Sequence, residues 1–178
     1  MIKKTAIALV LCLLVIYFFN LHRTANKWRK YYSPKEIKTI AEVINKTKNH
    51  PEKLYEAYDK MHPNCRFKSM FSSYNEKILS ALHLNNSCCD PFYQRIYFYI
   101  PSELRNKKME YPSWSLGWGI RNYTSNQNCF DYYLNNVEVK VNNKNVTGVD
   151  SISARRFGKS IVDLSELEIN DLFNLIKL

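Results

Sequence analysis

An uncharged apolar run, Thr5 to Phe19, follows Lys3 and Lys4, and the next formal charge is Arg23. Such a run has few options. In lipid its backbone N–H and C=O groups find no water, and a helix is the one single-segment structure that pairs them all internally. The run is 15 residues, at the long end of a signal-peptide core and just short of the roughly 17 at which a helix begins to cross a bilayer. No Ala-x-Ala-like site follows, because the run continues directly into Tyr17-Phe18-Phe19. Cys12 is an unsuitable lipoprotein site, since Leu11 before it is too large and the apolar run continues beyond it. The expectation is an uncleaved single-pass anchor with a basic juxtamembrane segment over residues 1–32, and one body domain over 33–178.

Charge sharpens this division. The chain holds 26 Lys and Arg against 16 Asp and Glu, a net +10. Lys3, Lys4, Arg23, Lys27, Arg29 and Lys30 precede the first acid, so more than half of the excess flanks the apolar run. Such charges set topology and attract anionic headgroups, making membrane lipid the first expected partner. Counted literally, the larger cluster after the run puts the body in the cytoplasm. The later Lys and Arg are dispersed and accompany no recognisable binding motif, so no nucleic-acid partner is expected.

The body is long enough for one core. Ser33-Pro34-Lys35-Glu36 is a helix start, with a capping Ser, Pro at the first helical position and Glu at the third. Ile37, Ile40, Ala41 and Ile44 then form an apolar stripe. His50-Pro51 breaks it, and Leu54, Ala57, Tyr58 and Met61 repeat the spacing up to Pro63. Phe71, Tyr74, Ile78 and Leu82 predict a third helix. From Asn85 to Trp118 the pattern weakens: a loop over Asn86–Pro91, an aromatic run Tyr97–Ile100 that suits strand or buried helix, then a polar stretch between Pro101 and Pro112. Gly117 and Gly119 argue against a long helix around Trp114 and Trp118. Val137, Val139 and Val141 alternate, which predicts a short hairpin around Asn142 to Asn145.

At the C-terminal end, Phe130, Tyr133, Leu134 and Val137 share one helical face, as do Ile169, Leu172, Phe173 and Ile176. Ser165 and Glu168 form a capping box that starts the last helix. The fold class is therefore mainly α. Cysteine and histidine add little chemistry. Cys65, Cys88, Cys89 and Cys129 contain no Cys-x-x-Cys, and His22, His50, His62 and His83 do not pair with them at zinc-like spacing. No metal and no cofactor are expected; one or two disulfides and a set of buried thiols both stay open.

The order of residues from Cys129 to Leu178 says more than its periodicity. Tyr133-Leu134-Asn135, Gly148, Phe157-Gly158-Lys159, Leu164 and Glu168 fall in the order and spacing of the C-terminal part of glycosyltransferase family 51, which this stretch resembles. That family is the membrane-bound transglycosylase domain that polymerises lipid II into peptidoglycan. Asp131 stands for the family's usual Glu, Arg156 for its usual Tyr, and Lys140 where Gly is common. The match covers under a third of the chain, and its motifs are structural. The resemblance implies a lysozyme-like helical body on the periplasmic or outer side of the bacterial inner membrane. It also implies lipid II, glycan or cell-wall synthesis proteins as partners.

The resemblance equally implies what catalysis would need. A carboxylate must reach the acceptor hydroxyl and take its proton, while Lys or Arg holds the departing pyrophosphate. The family's Glu-Asp-x-x-Phe-x-x-His-x-Gly-like, Gly-x-Ser-Thr-Ile-x-x-Gln and Arg-Lys-x-x-Glu motifs are not found. Counting back from Tyr133, the second family glutamate falls near Ser113, three residues from Glu110, and the chain ends ahead of the family's closing segment. Glu103, Glu110 and Asp131 remain the candidate acids, with Asp131 expected as a solvent-facing helix residue. Lys159 is read either as a helix-end lysine or as a phosphate ligand. Three functions stay open: a catalytically degenerate transglycosylase-like protein, a working enzyme with a rearranged acid, and an unrelated membrane-anchored extracytoplasmic interaction protein.

Overall fold

The computed structural model describes residues 2–63, 96–105 and 114–176. Among these the protein is mainly helical, with one two-stranded sheet. The predicted helix of residues 71–82, the loop of 86–91, the stretch 106–113 with Glu110, and Cys65, Cys88 and Cys89 lie outside the described residues.

Helix α1 (Ile2–Ala25) holds one stretch, Ala6–Ala25, of mean hydropathy 2.0, long and apolar enough to cross a membrane. It runs six residues past Phe19, where the first polar residues suggest an end. Two effects carry it on. The amides of Asn20 and Asn26 donate back to the carbonyls of Ile16 and His22, at 3.0 and 2.9 Å. Leu21 and Ala25 meanwhile bury themselves in the body. A 3-10 turn (Lys27–Lys30) follows and buries Trp28. The turn packs on α5 (Trp114–Arg121). A Cβ on Gly119 would meet the Trp28 ring at 3.0 Å, so the glycine that weakens the helix is the one that admits the indole.

Helix α2 (Pro34–Asn45) begins with the expected reciprocal cap: Ser33 Oγ accepts from the Glu36 N–H, and the Glu36 carboxylate accepts from the Ser33 N–H at 2.6 Å. It buries the predicted stripe of Ile37, Ile40, Ala41 and Ile44. Helix α3 (Glu52–Met61) buries Leu54, Tyr55, Ala57 and Tyr58. The aromatic run resolves as helix, α4 (96–99), with Ile96, Tyr97 and Ile100 in the core.

Helix α6 (Asn126–Asn136), capped by Ser125 on the Asn128 N–H at 3.0 Å, occupies the centre. The spacing predicts one apolar face; instead every residue from Cys129 to Leu134 is buried. The reason is tertiary. Helix α2 and α7 (Val149–Phe157) both pack on α6, while Tyr58 of α3 sets its ring 4.6 Å from Phe130 and 6.0 Å from Phe173. Each large apolar side chain buried this way contributes about 1.5–3 kcal/mol.

After Val137 the chain forms the predicted hairpin, β1 (Glu138–Val141) antiparallel to β2 (Lys144–Thr147). Its two-residue turn, Asn142-Asn143, has φ of 51° and 61°, a conformation Asn tolerates better than most residues. Helix α7 ends at Gly158, left-handed at φ 69°. A 3-10 turn (Ile161–Asp163) leads to α8 (Glu166–Leu175), which opens with the Ser165–Glu168 capping box. Helix α8 packs on α3 and α7, closing the tail against the first half of the body.

Candidate functional site

Of the candidate acids, Asp131 and Glu103 fall among the described residues, on separate elements. Asp131 is not the solvent-facing residue its sequence position suggests; its exposure is 0%, because α6 is surrounded. Its carboxylate is satisfied in the core. The Tyr55 hydroxyl donates to Oδ1 at 2.7 Å and the Gln127 amide to Oδ2 at 3.1 Å. The same Tyr55 oxygen accepts from the His50 backbone N–H at 2.8 Å, so one hydroxyl joins the α2–α3 turn to α6. Burial, reinforced by donation to Asp131, pushes the Tyr55 hydroxyl up to about 12. It stays protonated and keeps its role as donor.

His50 completes this cluster. It is only 7% exposed, and neither ring nitrogen has a hydrogen-bond partner among the described residues. Burial lowers its affinity for a proton, opposed by the nearby charges of Asp131 and Asp150 and assisted by Lys48. The turn around it is fastened twice. Asn135 Nδ2 donates to the Lys48 carbonyl at 2.8 Å, and Lys48 Nζ pairs with Asp150 at 3.2 Å. A second polar knot lies beside it, where Asn45 donates to the Tyr123 carbonyl and accepts from Thr124 Oγ1 and Asn128 Nδ2.

Glu103 sits exposed on a 3-10 turn (Ser102–Leu104), its carboxylate meeting the neighbouring Ser102 hydroxyl at 3.3 Å.

Four of the motif positions form two mutual contacts. Tyr133 is fully buried, with its hydroxyl donating to the Ile176 carbonyl at 3.0 Å, and Leu134 is fully buried beside it. Asn135 meets Gly148: a Cβ there would stand 2.8 Å from the Asn135 carbonyl oxygen, and φ at Gly148 is 78°. The Gly148 N–H donates to the Val137 carbonyl at 2.8 Å, so the hairpin returns to the helix end that launched it. The second pair is Lys159 and Glu168. Phe157 is half-buried against the core, Gly158 reverses the chain, and Lys159 Nζ meets Glu168 Oε1 at 2.7 Å. The other Glu168 oxygen accepts from the N–H and hydroxyl of Ser165. The Lys159 ammonium, with the Ser165 bonds, holds the Glu168 carboxyl down at about 2. Lys159 is thereby engaged in closing the α7–α8 corner.

A groove of about 280 Å³ runs between α3 and α8, lined by Lys53, Glu56, Ala57, Lys60, Leu164 and Ile169 among others. Its cations are already used: Lys53 Nζ donates to the carbonyls of Val162 and Leu164, and Lys60 pairs with Glu166. Among the described residues no cluster of three or more His, Cys, Asp or Glu stands ready for a metal ion.

Sequence reasoning missed His50, Tyr55 and Gln127. His50-Pro51 carried a signal, but one that reads as a helix break, and Tyr55 lies 76 positions from the carboxylate it serves. With the geometry in view, the chain matches no known protein family, no curated protein and no solved structure.

Proposed function

We propose that the chain is a single-pass membrane protein of glycosyltransferase family 51 type, catalytically degenerate, that binds lipid-linked peptidoglycan precursor or glycan in cell-wall synthesis. In this reading the body is lysozyme-like and stands on the periplasmic or outer side of the bacterial inner membrane. The observation behind it is that four of the positions matching the family pattern lie against one another, Gly148 against the Asn135 main chain and Lys159 on Glu168. The apolar Ala6–Ala25 stretch supports the membrane part.

The two candidate acids among the described residues support loss of chemistry. A general base must reach the acceptor hydroxyl. Both Asp131 oxygens accept hydrogen bonds inside the core, from Tyr55 and Gln127, and Glu103 stands on an exposed 3-10 turn. The test is a lipid II polymerisation assay on the full chain, run beside Glu110→Gln, together with a titration of lipid II binding. The expected result is no polymer from either chain and saturable binding by both. Polymer that disappears in Glu110→Gln would make the protein a working enzyme with a rearranged acid. The lack of any family match favours a second reading, a membrane-anchored extracytoplasmic interaction protein without enzymatic activity. Non-saturable lipid II and glycan binding would select it.

A further inference from the structure

The apolar stretch of α1 and the body overlap. Ala6–Ala25 is 20 residues, about 30 Å of helix, which matches the hydrocarbon thickness of a bilayer. Yet Leu21 and Ala25 belong to the body's buried core, and Tyr17 packs against that core from further down the helix. The body therefore grips α1 over its last two turns and more, about 12 Å of the stretch. What protrudes freely, Ala6 to Ile16, is about 16 Å long, half of what a bilayer requires.

We propose that the body is seated in one leaflet of the membrane rather than tethered above it, with the joint between α1, the Lys27–Lys30 turn and α5 facing phospholipid. This inference rests on the membrane-anchored part of the function proposed above and not on its transglycosylase part. Placing the full apolar stretch in hydrocarbon brings the contacts of Tyr17 and Leu21 below the lipid surface.

The residues of the joint suit that depth. Helix α5 reads Trp-Ser-Leu-Gly-Trp-Gly-Ile-Arg, and its one charge is its last residue, Arg121. Asn20, the polar residue deepest in the stretch, turns its amide back onto the Ile16 carbonyl. Around the outer end stand Arg23, Lys27, Arg29 and Lys30, all exposed and none paired with a carboxylate among the described residues. Arg29 lies over the Trp28 ring with its Cζ 4.9 Å from the centroid. Long cationic side chains at this level extend their heads to lipid phosphates while their stems stay in apolar surroundings.

The chain carries its own probes. Its three tryptophans, Trp28, Trp114 and Trp118, all lie in this joint. The unaltered protein is reconstituted into phosphatidylcholine–phosphatidylglycerol vesicles, floated on a density gradient, and its tryptophan emission compared in vesicles with and without 6,7-dibromo acyl chains. Seating predicts flotation and a loss of emission of about two-fold or more, since the joint then borders the acyl region. Were only Ala6–Ile16 in lipid, Trp28 would ride about 18 Å beyond the hydrocarbon edge, out of reach of bromine. Flotation with undiminished emission would overturn the seating and leave the anchor standing. Failure to float would remove the anchor, and the seating with it.

Discussion

The Tyr55 hydroxyl donates to the buried Asp131 carboxylate at 2.7 Å while accepting the His50 backbone N–H at 2.8 Å. One oxygen thus fastens the α2–α3 turn, α3 and α6 at a single point. Removing one partner of a buried bond leaves the other unsatisfied, which costs about 1–3 kcal/mol, and more where a charge is stranded. Tyr55→Phe is expected to lose about 2–3 kcal/mol in urea unfolding. Asp131→Asn, which keeps an acceptor for Tyr55, is expected to lose less. The reverse order would mean that the carboxylate charge, and not the hydroxyl bridge, organises this centre.

His50 sets a pH dependence with a definite sign. Burial holds its folded-state affinity for protons below the ordinary value of 6.5. The unfolded chain therefore binds the proton first, so stability rises with pH from the lowered folded value up to about 6.5 and is constant above. Unfolding free energy measured at pH 7.5 should exceed that at pH 5.5, and His50→Phe should shrink the difference. An unchanged difference would take His50 out of this role.

Two glycines of positive φ differ in ψ and in what a Cβ would meet. Gly158 (φ 69°) has open space where a Cβ would go, so Gly158→Ala meets the conformational cost alone, about 1–2 kcal/mol. Gly148 (φ 78°) adds a backbone oxygen 2.8 Å away. Gly148→Ala should therefore cost more than Gly158→Ala in a denaturant titration. Equal losses would mean that the hairpin can shift away from Asn135 freely.

At the α7–α8 corner, Glu168 titrates at about 2, held down first by Lys159 and then by Ser165. A depressed carboxylate contributes stability that is present above its unfolded value of 4.5 and lost as pH falls through about 2. In carbon-detected NMR, Lys159→Met should move the Glu168 midpoint upward toward 4.5. A midpoint that does not move would assign the depression to Ser165 alone.

Local signals in this chain were legible and distant ones were not. Ser33 with Glu36 and Ser165 with Glu168 can be read as helix starts because each cap is completed within four residues. The hairpin is legible because Val137, Val139 and Val141 alternate ahead of a turn built from Asn. The burial of Asp131 is not, since the donor that satisfies it is Tyr55, on another helix. Likewise the continuation of α1 past Phe19 depends on Leu21 and Ala25 finding the body, and Gly119 looks like a helix breaker until Trp28 lies against it. Of the candidate site, the pairing of Lys159 with Glu168 was not legible, because the turn at Gly158 that brings them together is set by packing of the two helices.

Lys53 reaches from α3 to the carbonyls of Val162 and Leu164, and Tyr58 of the same helix wedges between Phe130 and Phe173. Front and back of the body are stitched through this helix as well as through α2. The last fifty residues are consequently no transplantable cassette: expressed by themselves they would show Phe130 and Phe173 to water and leave two main-chain oxygens without their lysine.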